Sequence, residues 1–233
     1  MGIEHWTKTN KPLRIMRVEM VPISMVHPHE AVIGHEVEEF CNSLTNKGVF
    51  YRPILLDSNT YVVLDGHHRL AGLKHIGATK IPAILIDYQN DEIELYTWFP
   101  AVWACQEELA SFLVKNDLEV GKFPFSTGKK KVDSGESAFC TYRETEKYSM
   151  VINGDSESIL DILSDKYHVE YVDTLDFSKE FPPDKGELLY RRSLTKDEVI
   201  KAALEGRTYA PKTTRHYLPF RYQDIRVKVA HLF

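Results

Sequence analysis

Apolar positions in the first half of the chain switch between two periods. Val62, Val63 and Leu64 form a β-branched run of the kind that makes a buried strand, and Asp65-Gly66 breaks it with turn chemistry. Directly beyond, Leu70, Leu73 and Ile76 recur at helical spacing with Ala71 on the same face, and Gly77 stops the helix before an apolar strand over 81–86. The pattern is strand, tight turn, helix, strand. Ahead of it, 15–21 alternates as a strand. Val37, Phe40, Cys41 and Leu44 then fall at i, i+3, i+4 and i+7 of a helix over 36–47 that Gly48 ends, and 53–57 reads as a short strand. Residues 93–100 are rich in β-formers, and Leu109, Phe112 and Leu113 mark a helix running to about Lys115.

Apolar periodicity is lost over 121–136, where glycine, serine and lysine dominate, so a linker or solvated loop is expected there, with Lys129, Lys130 and Lys131 on its surface. Beyond it, strands are expected over 138–142, 148–152, 168–172 and 188–192, and a helix over 156–166 with Ile159, Ile162 and Leu163 on one face. Thr195 and Glu198 have capping-box spacing, predicting a helix over 196–206, and 225–229 closes as a strand. The fold class is α+β, divided as 1–118, 119–190 (a small α+β subdomain) and 191–233 (helix, loop and closing strand).

Composition narrows the function classes. A 233-residue chain that is 43% hydrophobic can fill a real core. A formal charge of −5, from 34 acidic and 29 basic residues, argues against a broad grip on nucleic acid, which needs a clustered basic surface. Cys41, Cys105 and Cys140 are odd in number and widely spaced, which suits a reducing compartment and gives neither a disulfide framework nor a metal knuckle. No apolar run approaches a membrane span, and a cytoplasmic protein is expected.

Two stretches carry chemistry. Asp65, Gly66, His67, His68 and Arg69 sit where a strand ends and a helix begins, and the free N–H groups of the first helical turn favour an anion, most simply a phosphate. Histidine and arginine conflict with the helix dipole there unless an anion joins them. Lys212, Thr213, Thr214, Arg215 and His216 lie between Pro211 and Pro219, a pairing that preorganises a cationic, hydroxyl-rich loop. On their own residues, Glu30 in the Pro28-His29-Glu30 turn reads as an ordinary loop acid, Ser43 as a helix-surface hydroxyl and Trp98 as core.

The DGHHR turn and its LAGL helix resemble the phosphate box of the ParB/sulfiredoxin-like superfamily. With PHE at 28–30, YTWFP at 96–100 and PKTTRHYLPF at 211–220, nearly the whole chain resembles the archaeal ADP-dependent free L-serine kinases. That resemblance implies transfer of a phosphoryl group from ADP to free L-serine, giving O-phospho-L-serine and AMP, in the service of cysteine biosynthesis. It makes Glu30 the catalytic base, turns Ser43 toward the nucleotide with Gly66, His67, His68 and Arg69, makes Trp98 a wall of the serine pocket, and makes Lys212, Thr214 and His216 a clamp for the serine carboxylate. Asp65 would either hold Mg²⁺, the cofactor implied by a nucleotide, or orient the nucleophile. Partners are ADP or ATP and L-serine, with no nucleic acid or membrane, on a monomer or small homo-oligomer. Three alternatives follow. A sulfiredoxin-like reductase needs a cysteine in the box, where His67 stands. A ParB-like regulatory or DNA-binding protein calls for a helix-turn-helix after the box, where aromatic strand follows. An ATP-dependent kinase of serine or a related hydroxy amino acid differs by contacts too small for a motif to resolve.

Overall fold

The described residues are 11–143, 147–175 and 186–233 of a computed structural model. The chain first forms β1 (Leu13–Arg14), β2 (Glu19–Pro22), α1 (Gly34–Lys47), β3 (Val49–Phe50), β4 (Ile54–Asp57), β5 (Val63–Asp65), α2 (His67–His75), β6 (Lys80–Ile86) and β7 (Glu94–Tyr96). β8 (Phe99–Val102), α3 (Gln106–Lys115), β9 (Val120–Pro124), α4 (Phe125–Asp133), β10 (Phe139–Tyr142), β11 (Tyr148–Ile152), α5 (Ser156–Lys166), β12 (Val169–Val172) and β13 (Glu187–Tyr190) come next. The chain closes with α6 (Lys196–Leu204), β14 (Arg215–Tyr217), β15 (Arg221–Tyr222) and β16 (Val227–Lys228). The fold is α+β in two units. One holds the residues up to Tyr96 with Leu194–Pro211 and Arg215–Phe233; the other holds Thr97–Ser193 with Lys212–Thr214.

In the first unit a mixed sheet runs in the order β2-β6-β4-β5, with β4 parallel to β6 and antiparallel to β5. Period-two alternation splits its side chains between two cores. Ile54, Leu56, Val63, Ile81 and Ala83 face Leu70 and Leu73 of α2 and Leu44 of α1, while Leu55, Leu64, Ile84 and Ile86 face Val199 and Ala203 of α6. Gly48, in the left-handed region at φ 63°, ends α1 as its sequence position requires. The strand expected over 15–21 is confined to β2, and Ile15 is 78% exposed. The reason is local: the main chain of Met16 pairs with the Gln223 side chain instead of a strand, its N–H donating to Oε1 at 3.0 Å and its carbonyl accepting from Nε2 at 2.6 Å.

α2 packs on α1 through Gly72: a Cβ there would stand 2.4 Å from Phe40 Cδ1. Gly72→Ala should therefore force the helices apart and destabilise the protein by about 1 to 3 kcal/mol, measurable as a fall in urea midpoint at unchanged slope.

The second unit is a six-stranded antiparallel sheet ordered β12-β8-β13-β10-β11-β9. Because β8 is hydrogen-bonded between β12 and β13, the break expected at 118 lies inside this unit, and the chain enters it at Thr97. The loop expected over 121–136 is instead β9 followed by α4. This helix presents almost no apolar side chains because its buried face is built on small ones: a Cβ on Gly128 would stand 2.7 Å from Ser149 Oγ and 2.9 Å from Val151 Cγ2, and Val132 is buried. The lysines project from the other side, Lys129 pairing with Asp133 and Lys131 with Glu136. Among the described residues no helix is long and apolar enough to cross a membrane.

Candidate active site

β5 delivers Asp65 and Gly66 to the N-terminus of α2. Gly66 has φ 113°, and a Cβ there would lie 2.5 Å from Ile54 Cγ2 and 2.8 Å from Arg69 Nη2, so only glycine fits the turn. Asp65 Oδ2 accepts hydrogen bonds from Arg69 Nη2 at 2.8 Å and from the Tyr222 hydroxyl at 2.5 Å, with Arg52 Nη2 3.8 Å away. Burial alone would raise the Asp65 pKa, but Arg69, the Tyr222 hydroxyl and Arg52 outweigh it and hold the carboxyl below the ordinary aspartate value. Arg69 Nε is buried without a hydrogen-bond partner, leaving a donor unspent beside the turn. The first turn of α2 contains no acidic residue, so its free N–H groups and Arg69 give an anion-favouring end.

The turn carrying Glu30 is held at three alternate positions, two of them by α2 and one by Tyr209. The His29 N–H donates to His67 Nε2 at 3.3 Å, the Ala31 N–H to the Tyr209 carbonyl at 2.8 Å, and the Ile33 N–H to His68 Nε2 at 3.0 Å. His27 is held beside β5 by exchange with Tyr61 and Val63, and Glu30 forms an isolated parallel bridge with Tyr209. Glu30 itself is half-buried. His67 and His68 thus act as acceptors for main-chain N–H groups, which requires neutral imidazoles at those nitrogens. His68 Nε2 also lies 3.4 Å from Glu36 Oε2, a contact that a proton on that nitrogen would strengthen.

Behind the turn lies a cluster that the sequence did not single out. His29 is fully buried, its ring edge-on to His67 at 4.5 Å and to His216 at 5.8 Å between centroids. His216 Nε2 is 2.7 Å from the Tyr88 hydroxyl. Burial, followed by repulsion from His67 and His216, pushes the His29 pKa well down; burial and His216 bring His67 to about 3; burial brings His216 to about 4. All three are neutral at ordinary pH. His216, expected beside Lys212 and Thr214, belongs to this first-unit cluster through the pairing of β14 with β7.

In the second unit, the main chains of Trp98 and Lys212 are joined through Arg191, a further residue not anticipated. Its buried guanidinium donates from Nε to Thr97 Oγ1 at 2.9 Å and to the Trp98 carbonyl at 2.8 Å, and from Nη2 to the Lys212 carbonyl. Thr214 is buried and Trp98 half-buried. Ser43 is half-buried late in α1, and among the described residues no hydrogen bond joins it to the box. No cluster of three or more His, Cys, Asp or Glu suited to a metal ion occurs among the described residues.

Residues 5–97 match the ParB N-terminal domain, so this part of the chain, which includes the Asp65–Arg69 turn, is of that class. The whole chain is 35% identical to the ADP-dependent L-serine kinase SerK of Thermococcus kodakarensis, over 100% of both chains. It is 29% identical to an ATP-dependent L-serine kinase of Staphylothermus marinus over 91% of this chain and 90% of the other. Among solved structures it resembles a free serine kinase in complex with AMP, with a TM-score of 0.85 at 32% identity, covering 97% of this chain and 98% of that one. The protein belongs to the free L-serine kinase family.

Proposed function

We propose that this protein is a phosphotransferase acting on an alcohol group, and that it moves the β-phosphoryl group of ADP to the hydroxyl of free L-serine, releasing O-phospho-L-serine and AMP. The carrying observation is the full-length 35% identity to an ADP-dependent L-serine kinase, against 29% over a shorter span for an ATP-dependent one. Glu30 takes the serine hydroxyl proton as the oxygen attacks the β-phosphorus, and the bond from that phosphorus to the AMP oxygen breaks. Phosphoryl transfer is mainly positioning and charge neutralisation. Gly66 admits the phosphates to the α2 N–H groups, and Arg69 supplies charge with its unspent Nε donor. His67 and His68 hold the turn that carries Glu30, a role their hydrogen bonds support more directly than phosphate contact. Lys212 and Thr214 serve the serine carboxylate against Trp98, while His216 closes the neutral wall of the histidine cluster.

A divalent cation, Mg²⁺, fits this donor set as one carried by the nucleotide, which asks the protein for only one or two carboxylates. Asp65 is the residue that would hold it, since its described hydrogen bonds all fall on Oδ2. Bound there, the ion neutralises phosphate charge.

Phosphorus NMR of the purified protein with L-serine, Mg²⁺ and either nucleotide decides the reading. Phosphoserine and AMP from ADP are expected. Phosphoserine from ATP alone would reassign the donor, and none from either would overturn the kinase.

A further inference from the structure

We infer that Arg191 is the positioning residue of the serine-side loop: its guanidinium fixes Lys212 and Thr213, and through them the adjoining Thr214, relative to Trp98 without itself touching substrate. The inference deepens the function proposed above and rests on it for the identity of the ligand. It starts from an expensive arrangement. Arg191 is 6% exposed, and burying a guanidinium is costly unless its donors are met. Here they are met by oxygens of two stretches far apart in sequence: Thr97 Oγ1 and the Trp98 carbonyl from Nε, the Lys212 carbonyl from Nη2, and Thr213 Oγ1 at 3.5 Å from Nη1. A direct bond from Thr97 Oγ1 to the Thr213 carbonyl at 2.9 Å closes the bridge. A rigid planar fork can join two main-chain segments in this way, whereas an ammonium cannot reproduce it.

The conformation held is one the loop would not keep alone. Lys212 has φ 62°, in the left-handed region that a lysine rarely occupies and that persists only where surroundings impose it. Its carbonyl is the one that Nη2 holds. Losing the fork would remove its bond to the Lys212 carbonyl and let Lys212 return to negative φ, carrying its side chain away from its present direction. The residues that suffer are those assigned to serine. The phosphate box and Glu30 belong to the first unit and are fixed by their own hydrogen bonds.

The test uses Arg191→Lys, Arg191→Met and the isosteric Thr97→Val in the full-length protein. Hydrogen–deuterium exchange should accelerate at 212–214 in each variant and stay unchanged over 63–75. KM for serine should rise about 10- to 100-fold in the arginine variants and less in Thr97→Val, with KM for ADP and ADP affinity measured without serine unchanged. Unchanged exchange at 212–214 would overturn the positioning role, and Thr97→Val supplies that reading should the arginine variants not fold. Accelerated exchange with unchanged KM for serine, or with both KM values rising together, overturns the serine-side assignment. If the wild type makes no phosphoserine, the proposed function fails separately, and exchange alone still decides whether Arg191 holds the loop.

Discussion

Glu30→Gln should lower kcat by about 10²- to 10⁴-fold, the usual worth of general-base catalysis, and leave both KM values nearly unchanged. The amide keeps the shape of the carboxylate but cannot accept the serine proton. The backbone around it is secured independently of the side chain, by the N–H groups of His29, Ala31 and Ile33. The loss should therefore appear in turnover at unchanged melting temperature. Steady-state rates of phosphoserine formation provide the check, and a kcat within about tenfold of wild type would remove Glu30 from the role of base.

Acid should unfold the protein steeply. His29, His67 and His216 are held neutral in the fold with pKa values below the ordinary 6.5, at about 3 for His67 and about 4 for His216. An unfolded chain binds a proton at each as pH falls through 6.5, while in the folded chain His67 and His216 bind none until near 4 and His29 is held neutral well below 6.5. Stability is complete above that range and lost below it, at about 1.4 kcal/mol per pH unit for each histidine. For His67 and His216 together, roughly 4 kcal/mol is gone by about pH 5, a large part of the net stability of many domains, and His29 acts in the same direction. Denaturant titrations across this range should give a slope near three protons, falling by one in His216→Gln. A wild-type slope of one proton or fewer would mean that the cluster is not neutral and buried in solution.

Legibility from sequence followed how each element is built. α1 and α5 announce themselves because apolar side chains recur at helical spacing on their inner faces, and α6, buried through Val199, Ala202 and Ala203, is announced by the Thr195 and Glu198 capping box, which forms as its spacing requires. The strand-turn-helix box was readable for the same reason, with a glycine where φ must be positive. α4 was not, since Gly128 is its contact surface and glycine reads as a breaker. Arg191 was invisible because the neighbouring Arg192 looks identical in sequence, yet one is buried and the other half-exposed. The histidine cluster escaped because its members come from three separate stretches that only strand pairing unites. His216 was read with its sequence neighbours, although period-two alternation along β14 turns it toward Tyr88 and away from the direction of Arg215 and Tyr217.

The interrupted course of the chain bears on the order in which the molecule can fold. The bulk of the second unit is one uninterrupted stretch, Thr97–Ser193, whose strands find partners within about a hundred residues, and it can condense as soon as that stretch is available. The first unit cannot. β1 waits for β15, β7 for β14 and β3 for β16, and the Thr79 N–H waits for the Leu232 carbonyl, so its early strands remain open until segments synthesised much later arrive. Loop closure over such separations is slow. The turn that carries Glu30, whose Ala31 is tied to Tyr209, is thus assembled among the last parts of the protein, after the central sheet that precedes those segments in the chain.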